Sequence, residues 1–254
     1  MTVGPGGALY GTTGEGGVPQ DDGTVYALVP PVDAPPGVIH FFAGGIDGSY
    51  PYAPVTGSNG VLYGTTAYGG TAGGGTVFSL KPPCQGCAWT ESVLYQLPAG
   101  PPGEGQSAVV RAGAKGALYG TLVYGVSGFG SVFMLTPPAS AGDSWTLMVL
   151  YGFSGSDGSC HSTGVLPGGG GELYGTTANG GTAGEGTVFV LKPPTSRGGG
   201  WTETVLYNFT GGADGGNPNG PAIDGKGVLY GTTVHWGTLT GSECAPGVAA
   251  RSSL

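Results

Sequence analysis

Leu173-Tyr174-Gly175-Thr176-Thr177 decides the fold, because the chain writes nearly the same pentapeptide at regular intervals. The other copies begin at Leu9, Leu62, Leu118 (as Leu-Tyr-Gly-Thr-Leu) and Leu229, so Tyr10, Tyr63, Tyr119, Tyr174 and Tyr230 recur about every 55 residues. A period of that size, with one supersecondary unit per repeat, marks an array or a propeller rather than an ordinary globular fold.

Outward from Leu173, the fullest unit runs from Gly164 to Phe209 and reads as four strands. Thr163-Gly164-Val165-Leu166 is a short apolar run that ends at Pro167 and a glycine cluster. Glu172–Thr177 alternates as a strand does, and the loop Ala178–Glu185 leads to Gly186-Thr187-Val188-Phe189-Val190-Leu191. Lys192-Pro193-Pro194 stops that third strand, since proline cannot donate to a ladder. Trp201–Phe209 is the fourth. β-branched and aromatic residues fill the runs, and Gly, Pro and Asn fill the gaps.

The order repeats. Gly23-Thr24-Val25-Tyr26, Gly75-Thr76-Val77-Phe78 and Gly130-Ser131-Val132-Phe133 echo the third strand, and Pro30-Pro31, Pro82-Pro83 and Pro137-Pro138 echo the stop. Trp89-Thr90 and Trp145-Thr146 open fourth strands that reach Val93-Leu94-Tyr95 and Val149-Leu150-Tyr151, while Val38–Phe42 takes that place in the first unit without a tryptophan. Val-Leu-Tyr is apolar on both faces of a strand, which suits a sheet sandwiched between two others, as in propeller blades. One unit alone cannot offset backbone ordering at about 1–2 kcal/mol per residue, with each buried Val, Leu or Phe contributing roughly 1.5–3 kcal/mol; a stack can.

The expected fold is therefore all-β, a propeller-like array of four-stranded units, in one repeat domain over 1–237. The units fall at about 8–42, 51–97, 107–153 and 162–209 with a partial one at 220–237, and 238–254 forms a divergent tail. On this reading the first unit lacks its opening strand and the last lacks its third and fourth, so the chain is an incomplete piece of a longer propeller. The alternative is a closed four-bladed ring in which Pro221-Ala222-Ile223 completes the first sheet. That alternative leaves Leu229–Thr233 surplus, which favours the incomplete array. The incomplete array would expose apolar sheet surface around Leu9 and Leu229.

Composition narrows the function. Gly 58 and Pro 21 in 254 residues would mean low complexity if they were unphased, but here they punctuate strands. Charged residues make up 9% of the chain, and 7 Lys and Arg cannot form the basic stripe that neutralises phosphates, so nucleic acid is excluded as a partner. No run of apolar residues is long enough for a membrane-spanning helix. Met1–Gly7 has neither the basic nor the apolar region of a signal peptide.

Candidate chemistry is sparse. Asp47, Asp157 and Asp214 recur after the fourth strand, each before a glycine, with Glu104-Gly105 in the second unit. A calcium loop wants six to eight oxygens, and each loop offers one carboxylate; Asp-Gly is also a strong turn former, the favoured reading. Were the chain a carbohydrate-active enzyme or lectin with its site at the propeller mouth, these carboxylates would be the first to test. Trp89, Trp145 and Trp201 could stack on sugars, although a fixed place at a strand start points to packing between sheets. Cys84-Gln85-Gly86-Cys87 occurs in one unit only, and zinc would need two further ligands from Cys160, His161, His235 or Cys244 in other units. No Gly-x-Ser-x-Gly elbow is present, and the glycine run 69–75 lacks the Lys-Ser/Thr of a phosphate loop. No catalytic residue, metal site or cofactor is assigned.

From Ala8 to Gly237, Leu-Tyr-Gly-Thr-Thr, Gly-Thr-Val-Phe, Pro-Pro and Trp-Thr-Glu-Thr-Val-Leu-Tyr follow in one fixed order that resembles the GloVer (Gloeo/Verruco) tandem repeats of bacterial proteins. The resemblance implies an exported or surface protein, a non-enzymatic extracytoplasmic scaffold whose partner is a glycan or another surface protein. It supplies no catalytic motif. In an exported chain, Cys84 and Cys87 would form a local disulfide.

Overall fold

A computed structural model describes residues 1–17, 21–30, 35–84, 88–101, 108–125, 127–140, 142–159, 164–196, 198–224 and 226–235. Strands β1 (Thr2–Val3), β2 (Leu9–Thr13), β3 (Thr24–Leu28) and β4 (Gly37–Phe41) form the first sheet. In the second, β5 (Ser49–Pro51) and β6 (Val55–Thr56) both pair with β7 (Leu62–Tyr68), which is followed by β8 (Thr76–Lys81) and β9 (Thr90–Gln96). The third holds β10 (Ala108–Ala112), β11 (Leu118–Leu122), β12 (Ser131–Thr136) and β13 (Thr146–Gly152). The fourth holds β14 (Leu166–Pro167), β15 (Leu173–Thr177), β16 (Thr187–Lys192) and β17 (Thr202–Asn208). Beyond it, β18 (Gly216–Pro218) pairs with β21 (Thr233–His235), and β19 (Ala222–Ile223) with β20 (Leu229–Tyr230). In each of the four sheets the strands lie in chain order and pair antiparallel.

The recurring residues have distinct mechanical jobs. In Leu-Tyr-Gly the glycine faces the third-strand aromatic: Gly11 opposes Tyr26, Gly64 opposes Phe78, Gly120 opposes Phe133 and Gly175 opposes Phe189. A Cβ on Gly64 would stand 2.4 Å from Phe78 Cζ, so only glycine lets the ring lie across the neighbouring strand. The glycine before the third strand takes positive φ in every unit, from 91° at Gly75 to 98° at Gly130. That conformation turns its carbonyl toward the end of the fourth strand, where it accepts an N–H: Gly23 from Phe42, Gly75 from Leu97, Gly130 from Phe153 and Gly186 from Phe209. The last threonine of the motif meets the first threonine of the third strand, as in Thr13–Thr24 and Thr66–Thr76.

Each third strand is joined to its fourth through a bulge at the same place, immediately after the valine of Gly-Thr-Val or Gly-Ser-Val. Val188 faces Tyr207 and Phe189 faces Val205, which leaves Leu206 as the extra residue. The bulge corrects one reading of Val-Leu-Tyr. The inserted residue re-aims the side chains, and burial then differs between units: Leu150 is buried, whereas Val149 is 40% and Leu206 is 48% exposed. The second and third strands are the ones covered on both sides: Thr65 and Thr66 of β7 are buried, as are Val77, Phe78 and Leu80 of β8.

The core lies between sheets rather than within them. Val25 and Phe42 from the first sheet pack with Leu62, Phe78 and Leu80 from the second. Val77 and Leu97 then meet Val110, Leu118, Phe133 and Leu135 of the third, and Val132, Leu150 and Phe153 meet Val165, Leu173, Phe189 and Leu191 of the fourth. Each sheet thus depends on the next for burial, at roughly 1.5–3 kcal/mol per buried large apolar side chain.

Two expectations are corrected. The first unit does have an opening strand, because Thr2 and Val3 pair with Tyr10 and Leu9. At two residues, ended by Gly4-Pro5, it is too short to show an alternating pattern. Closure of a four-membered ring through Pro221-Ala222-Ile223 is also overturned. Ala222 and Ile223 pair with Tyr230 and Leu229 instead, so the last Leu-Tyr-Gly-Thr-Thr copy is the natural hairpin partner of the segment just before it. The β18–β21 and β19–β20 pairs repeat the way β5 and β6 share β7.

Candidate functional site

The seams between sheets gather nearly every residue that could carry chemistry. Trp89, at the entry to β9, sets its ring edge-on to Tyr10 of the preceding sheet, with centroids 5.7 Å apart. Trp145 packs against the second seam together with Tyr63, and Trp201 against the third together with Tyr119. Trp89 thus reaches back to the sheet before it, and Trp145 and Trp201 pack on the clusters that also hold the preceding units' tyrosines. All three are partly buried.

A second aromatic series runs alongside. His40, Tyr151 and Tyr207, on the fourth strands, stand edge-on to Phe42, Phe153 and Phe209 at 4.6–5.0 Å. Phe42 and Phe153 in turn meet Phe78 and Phe189 of the following sheets, both at 5.1 Å. Leu97 takes the phenylalanine's place in the second unit.

The aspartates hold this series in place, each on its own turn. Asp47 accepts the Ala43 N–H at 2.8 Å, Asp157 the Ser154 N–H at 2.8 Å, and Asp214 the Thr210 N–H at 2.9 Å. The phenols of Tyr151 and Tyr207 donate to Asp157 and Asp214 at 2.6 and 2.9 Å. In the first unit His40 Nε2 lies 3.6 Å from Asp47 Oδ1, within ion-pairing reach but not hydrogen-bonded. Burial works against the Asp157 carboxylate, but the Tyr151 and Ser154 bonds outweigh it and hold its pKa below the ordinary value. Burial followed by the Asp157 bond raises the Tyr151 phenol. The Thr210 hydroxyl, with help from Tyr207, lowers Asp214.

Glu91 and Glu203 were missed by sequence reasoning. Each sits two residues after a seam tryptophan and therefore on the same strand face. The Oε1 atoms of both are buried without a hydrogen-bond partner among the described residues. Burial pushes each carboxyl up to about 7, and the negative charges of Asp47 and Asp157 on the preceding units add to the shift. His40 opposes the rise at Glu91. The repeated Trp-Thr-Glu at 89–91 and 201–203 was the available signal, with Leu147 as the apolar substitute in the third unit. Neither the cleft by Tyr230 nor the groove by Tyr63 is lined by Glu91, Glu203, Asp47 or Asp157.

Among the described residues no three His, Cys, Asp or Glu side chains are placed to hold a metal ion. Cys84 is disulfide-bonded; Cys87, Glu104, Cys160, His161 and Cys244 lie outside the described residues. A cleft of about 580 Å³ lies between the fourth sheet and the β19–β20 hairpin, lined by Val188, Phe209, Pro221, Leu229 and Tyr230.

Sheets of one design, joined by seams of one design, with the recurring side chains committed to turns and packing, define an all-β tandem-repeat protein. The family model described as the Gloeobacter/Verrucomicrobia repeat matches residues 1–243, and the chain belongs to that family. No curated protein matches it. No helix among the described residues is long and apolar enough to cross a membrane.

Proposed function

We propose that this chain is a non-enzymatic, extracytoplasmic β-repeat scaffold that binds or displays at the cell surface, with its four-stranded units arrayed as in a propeller and a divergent tail at 238–254. The observation that carries this reading is the use to which the recurring residues are put. Gly64, Thr66, Phe78 and Trp89 and their counterparts all serve turns, ladders or seams, so the repeat builds a frame and leaves recognition to what varies between units. The disulfide at Cys84 supports an oxidising compartment. Surface biotinylation and fractionation of cells making the whole native protein test the location. Labelled protein outside the cytoplasmic membrane is expected. Recovery in the cytoplasm alone, with all cysteines reactive to maleimide, would contradict it. Probing the same protein against a glycan array separates a glycan partner from a protein one.

A further inference from the structure

Glu91 and Glu203 hold one and the same place in two different seams. Across the ladder from fourth strand to third, Glu91 lies opposite Leu80 and Glu203 opposite Leu191, and both leucines are fully buried in seam clusters. In the third unit Leu147 stands there instead, opposite Leu135, and packs on the second seam. The place is one that a leucine fills. A carboxyl in it gives up water without gaining a donor, and Oε1 of each glutamate is buried with no hydrogen-bond partner among the described residues.

The charges around these carboxyls come from the preceding unit. Asp47 and His40 face Glu91, with His40 Nε2 3.6 Å from Asp47 Oδ1. Asp157 faces Glu203, and so does the Tyr151 phenol that donates to Asp157. No lysine or arginine belongs to either set among the described residues. An ionised glutamate would therefore meet both a dry seam and an aspartate across it, whereas a neutral one meets neither cost. The aspartate turns also bridge the seams. Gly45 O, in the Asp47 turn, accepts the Gly70 N–H at 2.7 Å, and Gly155 O, in the Asp157 turn, accepts the Gly181 N–H at 3.2 Å.

We propose that the first and third seams are proton-operated latches: Glu91 against Asp47 and Glu203 against Asp157 hold consecutive units together while the glutamate is protonated, and let them part locally once it ionises. Burial, then the aspartate charge, holds both carboxyls at about 7 against 4.5 in water. Closure is therefore fully supported below about 4.5 and weakens as pH rises through about 7. His40 opposes the rise at Glu91, so the first latch is the one that a second titrating group tunes. The second seam, with Leu147, lacks the device. Parting at one seam is a local opening, distinct from unfolding of the whole chain.

Amide exchange of the whole chain reads the two latches separately, through Gly70 and Gly181. From pH 5 to pH 8, protection relative to the intrinsic exchange rate should fall on the order of 10-fold or more at both amides. Glu203→Gln should abolish the fall at Gly181 and leave it at Gly70, and Glu91→Gln should do the reverse. In the unmodified chain, carbon NMR should show both glutamate carboxyls titrating near neutrality, and Asp157→Asn should lower the Glu203 midpoint alone. Equal protection at the two pH values, midpoints in the ordinary carboxylate range, or an effect of Glu203→Gln as large at Gly70 as at Gly181 would overturn the proposal.

Discussion

The Thr177 hydroxyl lies 2.9 Å from the Thr187 hydroxyl and accepts the Thr187 N–H at 3.0 Å, in a site where both residues are buried. The third unit shows what the pair is for. There Leu122 replaces the threonine, and the Ser131 hydroxyl is left buried with no partner among the described residues. An orphaned buried hydroxyl costs about 1–3 kcal/mol, whereas removing it with its partner already gone is close to neutral. Thr177→Val should therefore destabilise the chain by about 1–3 kcal/mol in urea unfolding, and Ser131→Ala should leave it unchanged or improve it. Equal losses for the two variants would mean that Ser131 has a partner after all.

Two neighbouring glycines should respond differently to alanine. Gly75 has φ +91°, and a Cβ there would stand 2.0 Å from Thr66 O, whereas Gly73 has φ +78° with open space around it. Gly73→Ala should cost only the left-handed backbone strain, about 1–3 kcal/mol. Gly75→Ala adds a collision with backbone that cannot swing aside, and should lose clearly more in the same denaturation assay or fail to fold.

Glu91 and Glu203 give the chain a pH dependence of defined sign. Their carboxyls sit at about 7 in the folded chain against 4.5 ordinarily, so the folded state holds protons that the unfolded state releases. Their contribution is fully present below about 4.5 and is lost as pH rises through about 7, with at most about one proton per glutamate. Melting temperature should fall from pH 5 to pH 8, and the double variant Glu91→Gln, Glu203→Gln should flatten that slope. A melting temperature that rises over the range would contradict the buried, carboxylate-facing placement.

The tryptophans offer a separate check on packing against sugar stacking. Trp201 packs on the seam that holds Tyr119 and Leu173. Trp201→Ala should destabilise by something below the 3–5 kcal/mol of a fully buried tryptophan, because the ring is partly exposed. Circular dichroism melts read this directly. An unchanged melt together with lost glycan binding would transfer the residue to a recognition role.

How much of this was legible depended on pattern length. Strands of five to seven residues with β-branched and aromatic content, such as β8 and β17, stood out in the sequence, and so did their order. β1, a two-residue strand, has no alternation to read. The bulge at Leu94, Leu150 and Leu206 was visible only as a continuous apolar run, because an inserted residue and double burial leave the same trace in a sequence. Asp47, Asp157 and Asp214 each accept a backbone N–H within their own turn, and such Asp-Gly chemistry is local. The carboxyls that face Asp47 and Asp157, Glu91 and Glu203, come from the next unit, and only the stacking of sheets brings them there.

The central claim is that consecutive units are held together face to face through their seams, and a double-mutant cycle on Phe153 and Phe189 tests it most directly. These rings belong to different sheets and meet at 5.1 Å with an interplanar angle of 63°. Phe153→Leu, Phe189→Leu and the double variant, measured by urea denaturation, should show a coupling of about 0.5–1.5 kcal/mol. The remote pair Phe42 and Phe189 should be additive within about 0.5 kcal/mol. Additivity at Phe153–Phe189 as complete as in that control would contradict the seam and, with it, the stacked arrangement of the units.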